Sequence, residues 1–123
     1  MSSLIVQKYG GTSMATAHSF KLVGERVARN NDARVIVVSA PGKITDSNDP
    51  SHAVPRDSVK ATDALLRIAG KARWGEPLTD EIAGLKRRFT LIEEGLQMPA
   101  DRCVSPLVET KVLERVKMLD DGN

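Results

Sequence analysis

Two short apolar runs, Leu4-Ile5-Val6 and Val35-Ile36-Val37-Val38, each stop at a cluster of small residues: Gly10-Gly11-Thr12-Ser13 after the first and Ser39-Ala40-Pro41-Gly42 after the second. Between them lies a stretch of helical periodicity. Phe20, Val23 and Val27 fall at i, i+3 and i+7, with Lys21, Glu25, Arg26 and Arg29 largely around the other side. Runs this apolar suit strands buried on both faces, and strand, helix, strand in that order is a parallel α/β unit. The helix is expected from about Thr16 to Asn30, closed by Asn30-Asn31-Asp32, and the two strands are expected to be adjacent or near neighbours in a parallel sheet.

The rest of the chain is expected to be loop and helix. Asp46 to Arg56 is rich in turn formers and reads as a mobile loop. A second helix, Ser58 to Arg73, carries Ala61, Leu65, Ile68 and Ala72 on one side and is broken by Gly75-Glu76-Pro77. A third begins with Thr79 as N-cap, places Asp80 and Glu81 at the positive end of its dipole, buries Ile82, Leu85, Phe89 and Ile92, and is capped by Gly95. A fourth opens with Ser105 as N-cap before Pro106 and buries Val108, Val112, Val116 and Leu119. Two strands cannot satisfy both sheet edges or cover both sheet faces. The chain is therefore expected to be the front of a larger α/β domain, with 1–46 the βαβ unit, 47–123 a loop and helical segment, and more sequence beyond Asn123.

Composition excludes several classes. With 18 Lys and Arg against 16 Asp and Glu, scattered along the chain, there is no basic stripe for nucleic acid and no membrane patch. One cysteine and two histidines without ligand spacing argue against a disulfide frame or a metal site. No run approaches the roughly 20 apolar residues of a membrane span, nor is there an apolar leader, so a reducing, cytoplasmic setting is expected.

The strand ends carry the functional signal. Ligands of open α/β sheets bind beyond the carboxyl ends of the strands, and consecutive glycines there let backbone N–H groups approach an anion at the mouth of the following helix. Lys8 shares a strand face with Leu4 and Val6 and would be buried unless it reached toward a charge beyond the sheet. Such a lysine suits a transferring phosphoryl group. A Gly-Gly pair after a strand is also simply a tight turn, and a lysine at a strand end can snorkel. Neither the P-loop spacing nor G-x-G-x-x-G occurs.

Lys8-Tyr9-Gly10-Gly11-Thr12-Ser13, followed by Val37-Val38-Ser39-Ala40-Pro41-Gly42-Lys43-Ile44-Thr45-Asp46, resembles the N-terminus of aspartate kinases. The resemblance is clear over residues 3–46 and weaker beyond, where the helices resemble an insertion that some of these enzymes carry. It implies the amino acid kinase fold, a parallel-sheet α/β sandwich, and transfer of the γ-phosphoryl group of ATP to the side-chain carboxylate of L-aspartate, giving 4-phospho-L-aspartate in amino-acid biosynthesis. It further implies that Lys8 is catalytic, stabilising the transferred charge. The backbone around Tyr9, Gly10 and Gly11 would cradle ATP phosphates, Ser39 would lie beside them, and Thr45 with Asp46 would face aspartate. Magnesium would come with the nucleotide and needs no dedicated protein ligand. Homo-oligomerisation is compatible with the family.

The family's Gly-Glu motif has no counterpart here, since Gly75-Glu76 precedes a proline and Glu93-Glu94-Gly95 has the reverse order. The groups that grip adenine, ribose and the substrate carboxylate are also missing. The 123-residue chain is thus expected to be inactive alone. The alternative is a stand-alone, non-catalytic module whose amphipathic helices bind a partner protein. His18 and His52 read as solvated, Trp74 as covering a helix contact, and Lys86-Arg87-Arg88 as the wet face of its helix. Cys103 reads as an inert thiol, although its place before a helix start can lower a thiol pKa.

Overall fold

The computed structural model describes residues 4–29, 34–45 and 60–120. Strand β1 (Ile5–Tyr9) pairs in parallel with β2 (Arg34–Val38), in register from Ile5 opposite Arg34 to Tyr9 opposite Val38. Helix α1 (Ala17–Arg29) lies between them in sequence and packs on one sheet face: Tyr9, Met14 and Val23 are buried together, with Phe20, Val27 and Ile36 against them. The Arg34 guanidinium donates to the Val27 carbonyl at 2.8 Å, satisfying an acceptor in the last turn of α1 while fixing the start of β2. The fold class read from the sequence, a parallel α/β unit followed by helices, is the one observed.

Among the described residues nothing covers the second sheet face. Leu4 and Val6 are 68% and 63% exposed, and Val35 and Val37, opposite Val6 and Lys8, are exposed as well. The sequence pattern asked for burial on both faces; among the described residues only one face has a cover.

Helices α2 (Ala61–Arg73), α3 (Thr79–Gly95) and α4 (Ser105–Asp120) form a second packed layer. Ala61, Ile68, Ile82 and Leu85 are its buried centre, with Ala64, Phe89, Val108, Val112 and Val116 packed around them. Removing a side chain such as Ile68 from this centre should cost about 2–5 kcal/mol. Leu65, expected inside, is exposed; the buried line of α2 runs through Ala64 instead. Lys71 of α2 and Glu81 of α3 add an ion pair across the layer.

Helix α3 joins the two layers, since it touches α2, α4 and α1. A β-carbon on Gly95 would stand 2.3 Å from that of Ala17, so this glycine permits close approach of α3 to the start of α1. It is the last residue of α3 rather than its cap. The left-handed position falls at Gln97 (φ 53°), where Gln97 N–H donates to Glu94 O and Met98 N–H to Glu93 O in a Schellman closure. Thr79 is likewise the first helical residue, with Leu78 at the cap position. The start of α4 is capped by the Glu93 carboxylate rather than by the Ser105 hydroxyl: it accepts from Val104 N–H (2.9 Å), Ser105 N–H (2.8 Å) and Ser105 Oγ–H (2.7 Å). The expected helix closure at Asn30-Asn31-Asp32, the loop from Asp46 to Arg56 with His52, and the side chain of Leu119 lie outside the described residues.

Candidate phosphate-binding site

The parallel register brings both small-residue loops to the same end of the sheet. Ser39 N–H donates to Tyr9 O at 3.1 Å, extending the ladder one step past β2, and Gly42 N–H donates to Gly11 O at 2.8 Å. The loops therefore touch backbone to backbone. A β-carbon on Gly42 would stand 2.3 Å from the Gly11 carbonyl carbon, and one on Gly11 would stand 3.1 Å from Gly42 Cα. Gly42 is buried at this contact. Its carbonyl accepts a 2.7 Å hydrogen bond from Arg88 Nη2 of α3, which also donates to Ala15 O at 3.2 Å. Pro41 O accepts from Ala61 N–H at 2.9 Å, so α2 holds the same loop.

Past Gly10 the chain enters a single 3-10 turn, Gly11–Met14, before α1 begins. Gly10 has extended backbone (φ −76°, ψ −178°), and Ser13 N–H closes the turn on Gly10 O at 3.1 Å. Among the described residues only Gly75 and Gln97 have left-handed φ, so the Gly-Gly pair serves close approach rather than an unusual dihedral. Helix α1 caps its own mouth: Ser19 N–H donates to Thr16 Oγ1 (3.1 Å) and Thr16 N–H to Ser19 Oγ (3.0 Å). The sequence reading put the anion at the mouth of the following helix; the element directly behind the glycines is the 3-10 turn.

Lys8 is exposed on the bare sheet face, two residues before Gly10. It needs no anion to escape burial, because that face is open. Tyr9 is only 8% exposed, its ring in the core under α1 and its carbonyl taken by Ser39 N–H. A β-carbon on Gly10 would meet nothing within 4 Å, and Ser39 is exposed at the end of β2. The exposed Lys8 side chain, the open surface at Gly10 and the two loops thus lie at one end of the sheet. Thr45 is half-buried beyond the buried Ile44, and Asp46 lies outside the described residues. No three His, Cys, Asp or Glu among the described residues group as metal ligands. An open pocket of about 210 Å³ adjoins the turn, lined by Thr12, Ser13, His18, Ser19, Leu22, Val23 and Arg26.

Two residues escaped the sequence reading. Gly42 is read from the sequence only as one member of the small-residue cluster that ends the second strand, and its particular need for a missing side chain arises from a contact with Gly11. Arg88 was placed with Lys86 and Arg87 on a wet face, yet it is 3% exposed while those two are exposed. Its position on the Ile82, Leu85, Phe89 and Ile92 side of α3 was the available signal, since 88 follows 85 by three. Elsewhere, Trp74 is 75% exposed beneath the Arg73 guanidinium, 5.6 Å from the ring centre, and covers no helix contact.

No protein-family model matches the chain. Its structure is similar to that of aspartate kinase from Clostridium acetobutylicum, with a TM-score of 0.73 and 25% identity, over 94% of this chain and 24% of the kinase chain. In sequence, it is 33% identical over 82 residues to the major DNA-binding protein of Suid herpesvirus 1, which is 66% of this chain and 7% of the viral protein. The chain thus spans a small part of both. The structural likeness supports a kinase-type relationship and an aspartate kinase-like fold for this segment. Among the described residues, no helix is long and apolar enough to cross a membrane.

Proposed function

We propose that this chain is the phosphate-binding portion of an aspartate kinase-type phosphotransferase, acting on L-aspartate with Mg-ATP. One observation carries the reading: the two motif loops meet at one sheet end beside an exposed lysine, in a fold like that of aspartate kinase. ATP would supply the phosphoryl group, with magnesium on its phosphates. Lys8 holds a positive charge where negative charge accumulates, and the backbone from Tyr9 to Gly11, with Ser39, lines the phosphate side. Thr45 is assigned to the acceptor. No general base is required, because a carboxylate is already ionised at neutral pH, so the chain's task is orientation and charge neutralisation.

Orientation can supply roughly 7–11 kcal/mol of a barrier, and the groups that would hold adenine and the aspartate carboxylate have no counterpart in this sequence. The 123-residue chain is therefore expected to bind Mg-ATP weakly and to turn over no aspartate. Calorimetric titration with Mg-ATP, beside a coupled ADP-release assay, tests this. Lys8→Ala should weaken binding about tenfold or more, the loss of one charge-assisted contact. Equal affinity of the two proteins would remove Lys8 from the site, and aspartate-dependent turnover would show that the chain holds more of the active site than proposed.

A second reading, a helical module for a protein partner, is favoured by exposed Leu65 and Leu66 on α2 and Trp74 just past its end. The name of the viral relative suggests DNA, but a net charge of +2 without a basic stripe gives that reading no footing.

A further inference from the structure

We infer that Arg88 is the positioning residue of this site: from helix α3 it fixes the spacing of the two small-residue loops so that the phosphate cradle is formed before any ligand arrives. The inference rests on the proposed phosphate-binding role of those loops. Arg88 is 3% exposed, far from the solvent its neighbours Lys86 and Arg87 reach, and burial of a guanidinium is tolerated only where it meets good acceptors. Its Nη2 meets two, and they belong to different loops: Ala15 O follows the 3-10 turn behind β1, while Gly42 O lies in the loop behind β2. They stand 73 and 46 residues from Arg88 in sequence, so one side chain ties three separate parts of the chain.

The tie acts where the loops touch. Gly42, whose carbonyl Arg88 holds, donates its own N–H to Gly11 O at 2.8 Å; Gly42 has no room for a side chain against Gly11, and a side chain on Gly11 would be a tight fit against Gly42. Gly11 adjoins Gly10, and the Gly42 loop begins at Ser39, which the ladder holds to Tyr9, so this contact sets the spacing of the two loops beyond the strand ends. A planar guanidinium with several fixed donors can hold two carbonyls at a set separation, which a flexible ammonium does less well. Hydrophobic packing at this position would fill the space without fixing the carbonyls.

The test uses the 123-residue protein with Arg88→Met, which keeps length and burial, and Arg88→Lys, which keeps charge. Amide hydrogen exchange is read residue by residue, and Mg-ATP binding is titrated. Arg88→Met should speed exchange at Gly42 N–H tenfold or more relative to the amides of α3 and α4, and weaken Mg-ATP binding at least tenfold. Arg88→Lys should give a smaller change of the same kind. Ile68→Val, in the α2–α3 core, should lower the melting temperature without singling out Gly42. If Arg88→Met fails to fold, the exchange ratio in Arg88→Lys decides. Unchanged relative exchange at Gly42 overturns the inference, as does wild-type Mg-ATP affinity in Arg88→Met. If wild type binds no Mg-ATP while Gly42 exchange still depends on Arg88, the positioning stands and the phosphate reading falls.

Discussion

At Gly42 the missing side chain decides whether two loops can touch, whereas at Gly10 it decides little. A methyl group on Gly42 would run into the Gly11 carbonyl, and the obstacle is backbone, which cannot swing aside. Gly42→Ala should therefore destabilise the protein by about 1–3 kcal/mol in urea unfolding, the range for overpacking a tight site. Gly10→Ala meets open space with an extended backbone that alanine accepts, and should stay within about 0.5 kcal/mol of wild type. The sequence showed where glycines cluster at strand ends. It could not rank them, because the reason for Gly42 lies across a contact with a residue 31 positions earlier (42 − 11). Arg88 was hidden likewise: a run of three cations reads as solvated until the two carbonyls that receive one of them are known.

Helices were the most legible elements, since their stripes are periodic and local: α1 and α3 pack the positions the pattern selected, as does α4 at Val108, Val112 and Val116. Their ends were not. The end of α3 places Gln97, not a glycine, in the left-handed region, a conformation that costs an L-residue about 1 kcal/mol. Gln97→Gly should accordingly raise stability by about that amount, measured as a shift in the urea midpoint. The start of α4 depends on a carboxylate from another helix, which no local capping rule detects. Burial alone would push the Glu93 carboxyl up, but hydrogen bonds from Ser105, Val104 and Cys103 together hold it below its ordinary value of 4.5. A depressed carboxyl contributes stability that is complete above the ordinary value and is lost as pH falls through the lower folded value. Glu93→Gln should cost about 1–3 kcal/mol at pH 7, and the gap to wild type should narrow as pH drops below 4.5. A gap that is constant with pH would mean that the charge has no part in the cap. The same carboxylate, after burial itself, raises the Cys103 thiol, so its place before α4 does not activate it.

On the scale of the whole molecule, α3 is the strut between a βαβ layer and a helical layer, and among the described residues one apolar face of the sheet is uncovered. The strand pattern announced a two-faced sheet, and the described residues cover one face, on α1. Val6→Thr should then change stability by no more than about 0.5 kcal/mol in this chain, whereas the same substitution at a covered position should cost more. A large loss at Val6 would mean that the face is covered in solution. The relation to aspartate kinase makes a sharper claim, that the phosphate side of the site is already assembled where Gly11 meets Gly42. The direct measurement is titration of the isotope-labelled chain with Mg-ATP while every backbone amide is followed by NMR. The account predicts shifts concentrated at residues 8–13 and 39–43 and abolished by Lys8→Ala; shifts centred on the helical layer, or none anywhere, would contradict it.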